Sequence, residues 1–186
     1  MTTATMKMRT LDRVIKVALI GDEGLEGSYA LTPGELAGDL PVDGPVRVTA
    51  RLYKVGEAVH VSGEADAPMA MECARCLKGF VLPVEEEYTA VYMKKEGFLD
   101  DGVAEDEVEL SKEDMDIQFF DGDELDLWPP ARDQLLLALP MRPLCDEACK
   151  GLCPECGQDL NEKTCGCETA PVDPRFAELK KLLGGG

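Results

Sequence analysis

The feature that most constrains this chain is the placement of its eight cysteines, which fall in four short-spaced pairs. Cys73-Ala-Arg-Cys76 and Cys153-Pro-Glu-Cys156 are C-x2-C turns. Three residues separate Cys145 from Cys149 and Cys149 from Cys153, and Cys165-Gly-Cys167 closes the series. A C-x2-C turn aims two sulfurs at one point, and a second pair completes the tetrahedron that zinc prefers, at about 2.3 Å from each sulfur. Gly157, directly after Cys156, lets the turn backbone take a positive φ. Disulfides need an oxidising compartment, and nothing in the sequence indicates one. An iron–sulfur cluster also takes four thiolates. A C-x2-C redox pair belongs at the start of a helix in a thioredoxin-like unit, whereas both pairs here lie in turn-rich, β-like or irregular contexts. The expectation is two structural zinc sites, one from Cys73, Cys76, Cys145 and Cys149, the other from Cys153, Cys156, Cys165 and Cys167. The first would pin the β region to the end of a Leu-rich helix, and the second would fold the C-terminal tail locally. A rival partition joins Cys149, Cys153, Cys156 and Cys165 and leaves the others free.

The hydropathy pattern predicts an α+β chain. Arg13–Ile20 reads as an opening strand, and Val46–Val55 alternates cleanly, with Val46, Val48, Ala50 and Leu52 on one face. After a turn at Gly56-Glu57, Ala58–Ala65 is its antiparallel partner, which Met69–Cys73 extends past Pro68. Phe80–Val84 and Glu87–Met93 read as two further strands. The Gly-, Pro- and acid-rich span Gly21–Pro45 reads as loop, with a short helical turn at Pro33–Ala37. Asp126–Leu139 is the best helix: Pro129 and Pro130 suit its first turn and Pro140 stops it, while Trp128, Leu135, Leu136 and Leu139 supply an apolar face. A second helix is expected at Pro174–Leu183, capped by Asp173. The organisation expected is an antiparallel β-rich domain over 1–99, an acidic connector over 100–126, and a helix with a zinc-stapled tail over 127–186 packing on the β domain.

Charge narrows the range of partners. With 19 basic and 37 acidic residues the formal charge is −18, and two four-thiolate zinc sites take it to about −22. Sequence-independent binding to nucleic acid depends on cations neutralising phosphates, so this chain is unsuited to coating RNA and favours a basic partner. From Asp100 to Asp126 there are thirteen acidic residues and one lysine. That stretch reads either as a solvated connector, with Met115–Phe120 docking as one short strand, or as a mimic of nucleic-acid charge that holds a basic ribosomal protein or similar cation. No segment approaches the roughly 20 apolar residues of a membrane span, and no h-region with a cleavage site is read near the N-terminus. The compartment expected is the cytoplasm, where thiols stay reduced.

Several segments together carry a family resemblance. They are CARCL at Cys73–Leu77, LALPMRPLC at Leu137–Cys145, CKGLCPECGQDLN at Cys149–Asn161, the Cys165–Cys167 pair and DPRFAELKKL at Asp173–Leu182. In this order they resemble the YceD family, the large ribosomal RNA subunit accumulation proteins of bacteria, with plastid relatives. The likeness covers about Met69 to Leu183. It implies a role in synthesis, processing or accumulation of large-subunit (23S) ribosomal RNA, and it brings no catalytic residues.

The residues themselves also argue against an enzyme. His60, the single histidine, lies in an alternating strand. Glu85, Glu86 and Glu87 are adjacent strand residues that point to opposite faces, so they form no carboxylate pair. Four-cysteine zinc sites leave no coordination position for water. Arg75 and Lys78, beside the first C-x2-C turn, are the candidate partner-binding residues, weighed against ordinary solvated charge. Three functions remain open: a non-enzymatic ribosome-biogenesis factor contacting large-subunit RNA precursor or a ribosomal protein, an acidic zinc-binding holdase for a basic ribosomal protein, and a zinc-dependent RNA hydrolase. No small-molecule substrate and no membrane are expected.

Overall fold

A computed structural model describes residues 9–36, 38–95 and 117–167. The expected helix at Pro174–Leu183 and most of the acidic stretch lie outside the described residues. The chain divides into two compact units, one built from residues up to Met71 together with Val81–Met141, the other from Glu72–Phe80 together with Arg142 onward.

The first unit is a six-stranded sheet in the order β1-β3-β4-β5-β6-β7 with a two-stranded β2-β8 ribbon. The strands are β1 Arg9–Thr10, β2 Val14–Lys16, β3 Leu25–Leu31, β4 Val46–Val55, β5 Ala58–Glu72, β6 Gly79–Lys94, β7 Ile117–Phe120 and β8 Glu124–Asp126. The β-rich expectation holds, but the sheet is mixed rather than antiparallel throughout: β1 runs parallel to β3 and β7 parallel to β6. The β4–β5 hairpin turns at the predicted Gly56-Glu57 and is antiparallel, with Leu52 opposite Val61 and Val55 opposite Ala58. Its inward faces, Val46, Val48, Ala50 and Leu52 with Val59 and Val61, are buried. Aliphatic alternation sets the inner face of this hairpin, and Tyr29, Tyr88, Tyr92, Phe120 and Trp128 join it in the core.

The N-terminal third departs from expectation at two places. Only Val14–Lys16 of Arg13–Ile20 is strand, and Val17–Leu19 turns into a short 3-10 helix, so that Ile15 and Ile20 both reach the core. Leu25–Leu31, read as loop, is strand β3 and pairs along β4 from Leu25↔Leu52 to Leu31↔Val46. Gly27 hides the alternation of this strand. It occupies an inward position where a Cβ would lie 2.4 Å from the Arg9 carbonyl oxygen and 2.6 Å from the Leu11 side chain, so glycine is required by close packing against β1. The turn that follows is present: Thr32 donates its amide (2.8 Å) and hydroxyl (2.6 Å) to Glu35.

The two predicted strands Phe80–Val84 and Glu87–Met93 are one continuous β6. Among the described residues β7 pairs only with Val91–Lys94. Among the described residues no strand pairs with β6 at Pro83 on the β7 side, and an unpaired side tolerates a residue without an N–H. Helix α1, Trp128–Leu137, has its prolines in the first turn. Trp128, Ala131 and Leu135 are buried, whereas Leu136 and Leu137 are exposed. Asp126 ties the helix start to β2. Its carboxylate accepts from the Arg13 guanidinium (2.7 Å) and from the Trp128 amide (3.0 Å).

Candidate metal centre

The second unit holds all eight cysteines, and it is built on two turns of the same geometry. In the first, the Cys73 amide donates to the Lys78 carbonyl (2.9 Å) and the Leu77 amide to the Cys73 carbonyl (2.9 Å). In the second, the Cys153 amide donates to the Gln158 carbonyl (2.8 Å) and the Gly157 amide to the Cys153 carbonyl (2.9 Å). Both turns pass through positive φ after the second cysteine, 59° at Leu77 and 72° at Gly157. The freedom expected at Gly157 is therefore used, and Leu77 adopts the same backbone although it is not a glycine.

Each turn meets a second pair of cysteines. The sulfurs of Cys73, Cys76, Cys145 and Cys149 lie within 4.8 Å of one another, as do those of Cys153, Cys156, Cys165 and Cys167. Cys73 Sγ is 3.8 Å from Cys149 Sγ, and Cys76 Sγ is 3.6 Å from Cys145 Sγ. A tetrahedron with metal–sulfur bonds of about 2.3 Å has edges of about 3.8 Å, so the spacing fits a single ion. All eight are free thiols. The grouping that the structure brings together is the first of the two partitions considered from sequence. Either cluster could hold a metal ion.

The clusters differ in shielding. Cys73, Cys76 and Cys149 are buried and packed by Phe80, Leu144 and Leu152, leaving only Cys145 exposed. In the other cluster Cys153 is buried, Cys165 is intermediate, and Cys156 and Cys167 are exposed. Backbone amides set the thiol chemistry. The amides of Cys145, Cys76 and Arg75 hold Cys73 down at about 6, and those of Cys156 and Glu155 hold Cys153 at about 7. Sharing hydrogen bonds with these sulfurs' neighbours pushes the last members up. Cys145 rises to about 12, first because it donates to Cys73, and Cys167 to about 12, first because it donates to Cys156. Each turn thus presents one ready thiolate, and the protons held on the raised thiols must leave as a cation enters.

The family model for the large ribosomal RNA subunit accumulation protein YceD matches residues 61–183. The chain belongs to the YceD family. An uncharacterized protein of Mycobacterium tuberculosis is 34% identical over 134 residues, covering 72% of this chain and 60% of the relative. This chain therefore spans about three fifths of the length of that mycobacterial relative. The uncharacterized Bacillus subtilis protein YlbN is 29% identical over 150 residues, 80% of each chain. The chloroplastic YCED homolog 1 of Arabidopsis thaliana, named a large ribosomal RNA subunit accumulation protein, is 36% identical over 59 residues, 32% of this chain and 18% of the relative. No solved structure matches the chain.

In this YceD-family chain the two candidate partner-binding cations are engaged inside the second unit. Arg75 Nη1 donates to the carbonyls of Glu147 (2.9 Å) and Cys149 (2.8 Å). Lys78 Nζ lies 2.8 Å from Asp159 Oδ2 and 2.7 Å from Glu162 Oε1. Residues that sequence reasoning passed over do the joining. The Asn161 side chain donates to Cys149 Sγ (3.4 Å), and Gly151, at φ 75°, lets the Arg75 carbonyl approach to where a Cβ would stand 2.9 Å away. Neither carries a periodic or spacing signal. In the first unit His60 stacks on Tyr53 across the hairpin, centroids 5.1 Å apart and planes at 10°. That unit also has an open concavity of about 420 Å³ lined by Thr49, Arg51, Ser62 and Glu64, in which Arg51 is paired to Glu26 at 3.0 Å. Among the described residues no helix is long and apolar enough to cross a membrane.

Proposed function

We propose that this chain is a non-enzymatic, zinc-binding ribosome-biogenesis factor that supports accumulation of large-subunit ribosomal RNA, acting in the cytoplasm. Membership of a family described by that role carries the reading. The donor chemistry supports zinc: eight soft thiolates in two tetrahedrally spaced groups match its preferred ligand set. A metal ion saturated by four thiolates keeps no position for water or substrate, which favours binding over hydrolysis. Depletion of the protein should lower large-subunit RNA while small-subunit RNA persists, and a chain with Cys76→Ser and Cys145→Ser should fail to restore it. Normal large-subunit RNA after depletion would remove the proposed role. RNA cleavage by the purified chain, abolished by one point substitution, would overturn the non-enzymatic part.

The net charge of −18 supports a second, more specific reading, in which the direct contact is a basic ribosomal protein rather than RNA. Neutralising a block of acids between residues 100 and 116 should then slow association, most at low salt. Co-purification that yields RNA but no basic protein would exclude it.

A further inference from the structure

The two metal sites are close neighbours in the chain. Only Lys150, Gly151 and Leu152 lie between the last cysteine of the first cluster and the first cysteine of the second. The segment between Cys156 and Cys165 folds back over this link. Leu152 and Asp159 form an antiparallel bridge, and the Leu160 amide donates to the Gly151 carbonyl at 2.9 Å. Within this segment stands Asn161, whose side chain makes three hydrogen bonds. Its oxygen accepts from the Lys150 amide (2.8 Å), and Nδ2 donates to Asp159 Oδ1 (2.8 Å) and to Cys149 Sγ (3.4 Å). A residue of the second cluster's loop thus places a donor on a sulfur of the first.

We propose that Asn161 is a positioning residue that couples the two metal sites, so that filling the second site raises the affinity of the first. The inference rests on the reading of both clusters as zinc sites. Four thiolates around a divalent ion carry surplus negative charge, and an N–H donor aimed at one sulfur relieves it. Losing such an outer partner typically costs about 10- to 100-fold in metal affinity. The donor is held in place by a loop whose two ends are cysteines of the second cluster, so metal there fixes the geometry at Cys149. Lys78 also links the loop to the first turn, but its side chain is 52% exposed, and such pairs contribute little. Coupling is reciprocal: whatever the second ion does for the first, the first does for the second.

Zinc titration of the full chain against a competing chelator, repeated with cobalt(II) to report tetrathiolate coordination, tests this. Breaking the second site with Cys165→Ser plus Cys167→Ser should weaken the first site about tenfold or more. Breaking the first with Cys73→Ser plus Cys76→Ser should weaken the second by the same factor. Asn161→Ala should weaken the first site by the same factor as the second-site variant, with no further loss when the two are combined. Asn161→Asp keeps the shape but sets a carboxylate against the sulfur, and should lose at least as much. Lys78→Met, which loosens the loop but spares the sulfur contact, should cost under about threefold. Equal losses from Lys78→Met and Asn161→Ala would assign the effect to loop docking and overturn the role of Asn161. Two tightly bound ions with unchanged affinity in Asn161→Ala, or effects that add, would overturn the coupling while leaving the zinc reading intact. A wild-type chain that takes up no metal would remove both.

Discussion

Leu77 and Gly157 occupy the same position in two turns with the same hydrogen bonds: each follows the second cysteine of a C-x2-C pair, each donates its amide to the first cysteine's carbonyl at 2.9 Å, and each has positive φ, 59° and 72°. Glycine adopts that backbone without strain, while a side chain brings Cβ against carbonyl oxygen at a cost of roughly 1–2 kcal/mol. Leu77 is 58% exposed, so little burial offsets the strain. Leu77→Gly should therefore be neutral or stabilising by up to about 1 kcal/mol, and Gly157→Leu should destabilise by about 1–2 kcal/mol. Thermal unfolding of the metal-loaded chain measures both. A loss of stability in Leu77→Gly larger than that in Gly157→Leu would contradict the assignment.

Metal binding should bring two zinc ions per chain and be strongly pH-dependent. In the metal-free clusters, protons remain on the thiols whose pKa is raised, Cys145 and Cys167 at about 12. Zinc must displace them, so affinity rises with pH, by about tenfold per unit for each proton released. In the metal-free clusters the low-pKa thiolates also take up protons as pH falls through about 7 at Cys153 and about 6 at Cys73, so affinity should fall further on acidification. Calorimetry in buffers of different ionisation enthalpy counts the protons. Affinity that does not change between pH 6 and pH 9 (roughly the working range set by these thiols) would refute the displacement.

How much of this was legible follows from where the information lies in the chain. The β4–β5 hairpin announces itself because its inward residues alternate without a break. The cysteine groups were readable because chelation needs donors close in sequence or set in turns, and spacing records both. Strand β3 was not, because its central inward position is Gly27, chosen for backbone contact with β1. Nor was the continuity of β6, because whether Pro83 interrupts a strand depends on which side faces a neighbour. The contact of Asn161 with Cys149 is a property of the folded loop, and no period or spacing encodes it.

Removing metal should loosen the second unit before the first. The second unit is rich in turns, and among its described residues the apolar cluster is small: Cys73, Cys76 and Cys149 with Phe80, Leu144 and Leu152. The sheet unit, by contrast, buries Val46, Val48, Leu52, Leu125, Leu127, Trp128 and Leu135 completely or nearly so. Metal-binding energy must then supply much of the folding energy of the cysteine-rich unit. Hydrogen exchange with and without chelator should show protection lost over residues 149–160 and kept in β4 and β5. Equal protection in both conditions over 149–160 would count against this.

Three of the four tyrosines tie the sheet unit to pH at the alkaline end. Burial raises Tyr29, Tyr88 and Tyr92 well above the ordinary phenol range. Their folded-state pKa values exceed the unfolded one, so the stability they contribute is complete below about pH 10 and is lost as pH climbs from there toward the folded values. Base titration should show tyrosinate absorbance rising together with loss of sheet signal. Tyr92 donates to the Asp126 carbonyl at 2.6 Å, whereas Tyr29 Oη is buried with no hydrogen-bond partner among the described residues. Tyr92→Phe should cost about 1 kcal/mol, and Tyr29→Phe less than half of that. The reverse order in urea unfolding would show that the hydroxyl environments are misassigned.

The two clusters also differ in when they can come into being. The first joins sulfurs 69 and 76 positions apart in sequence. The second needs only the span from Cys153 to Cys167. On a nascent chain, Cys73 and Cys76 emerge early and wait as an open half-site until Cys145 and Cys149 have been made. The second set then starts four residues after Cys149 and is complete after 18. For that interval the unfinished protein offers a paired thiol turn with a partly formed sheet. On the zinc reading proposed above, a shortage of the metal would act first on chains whose first site is not yet closed, and only afterwards on finished molecules.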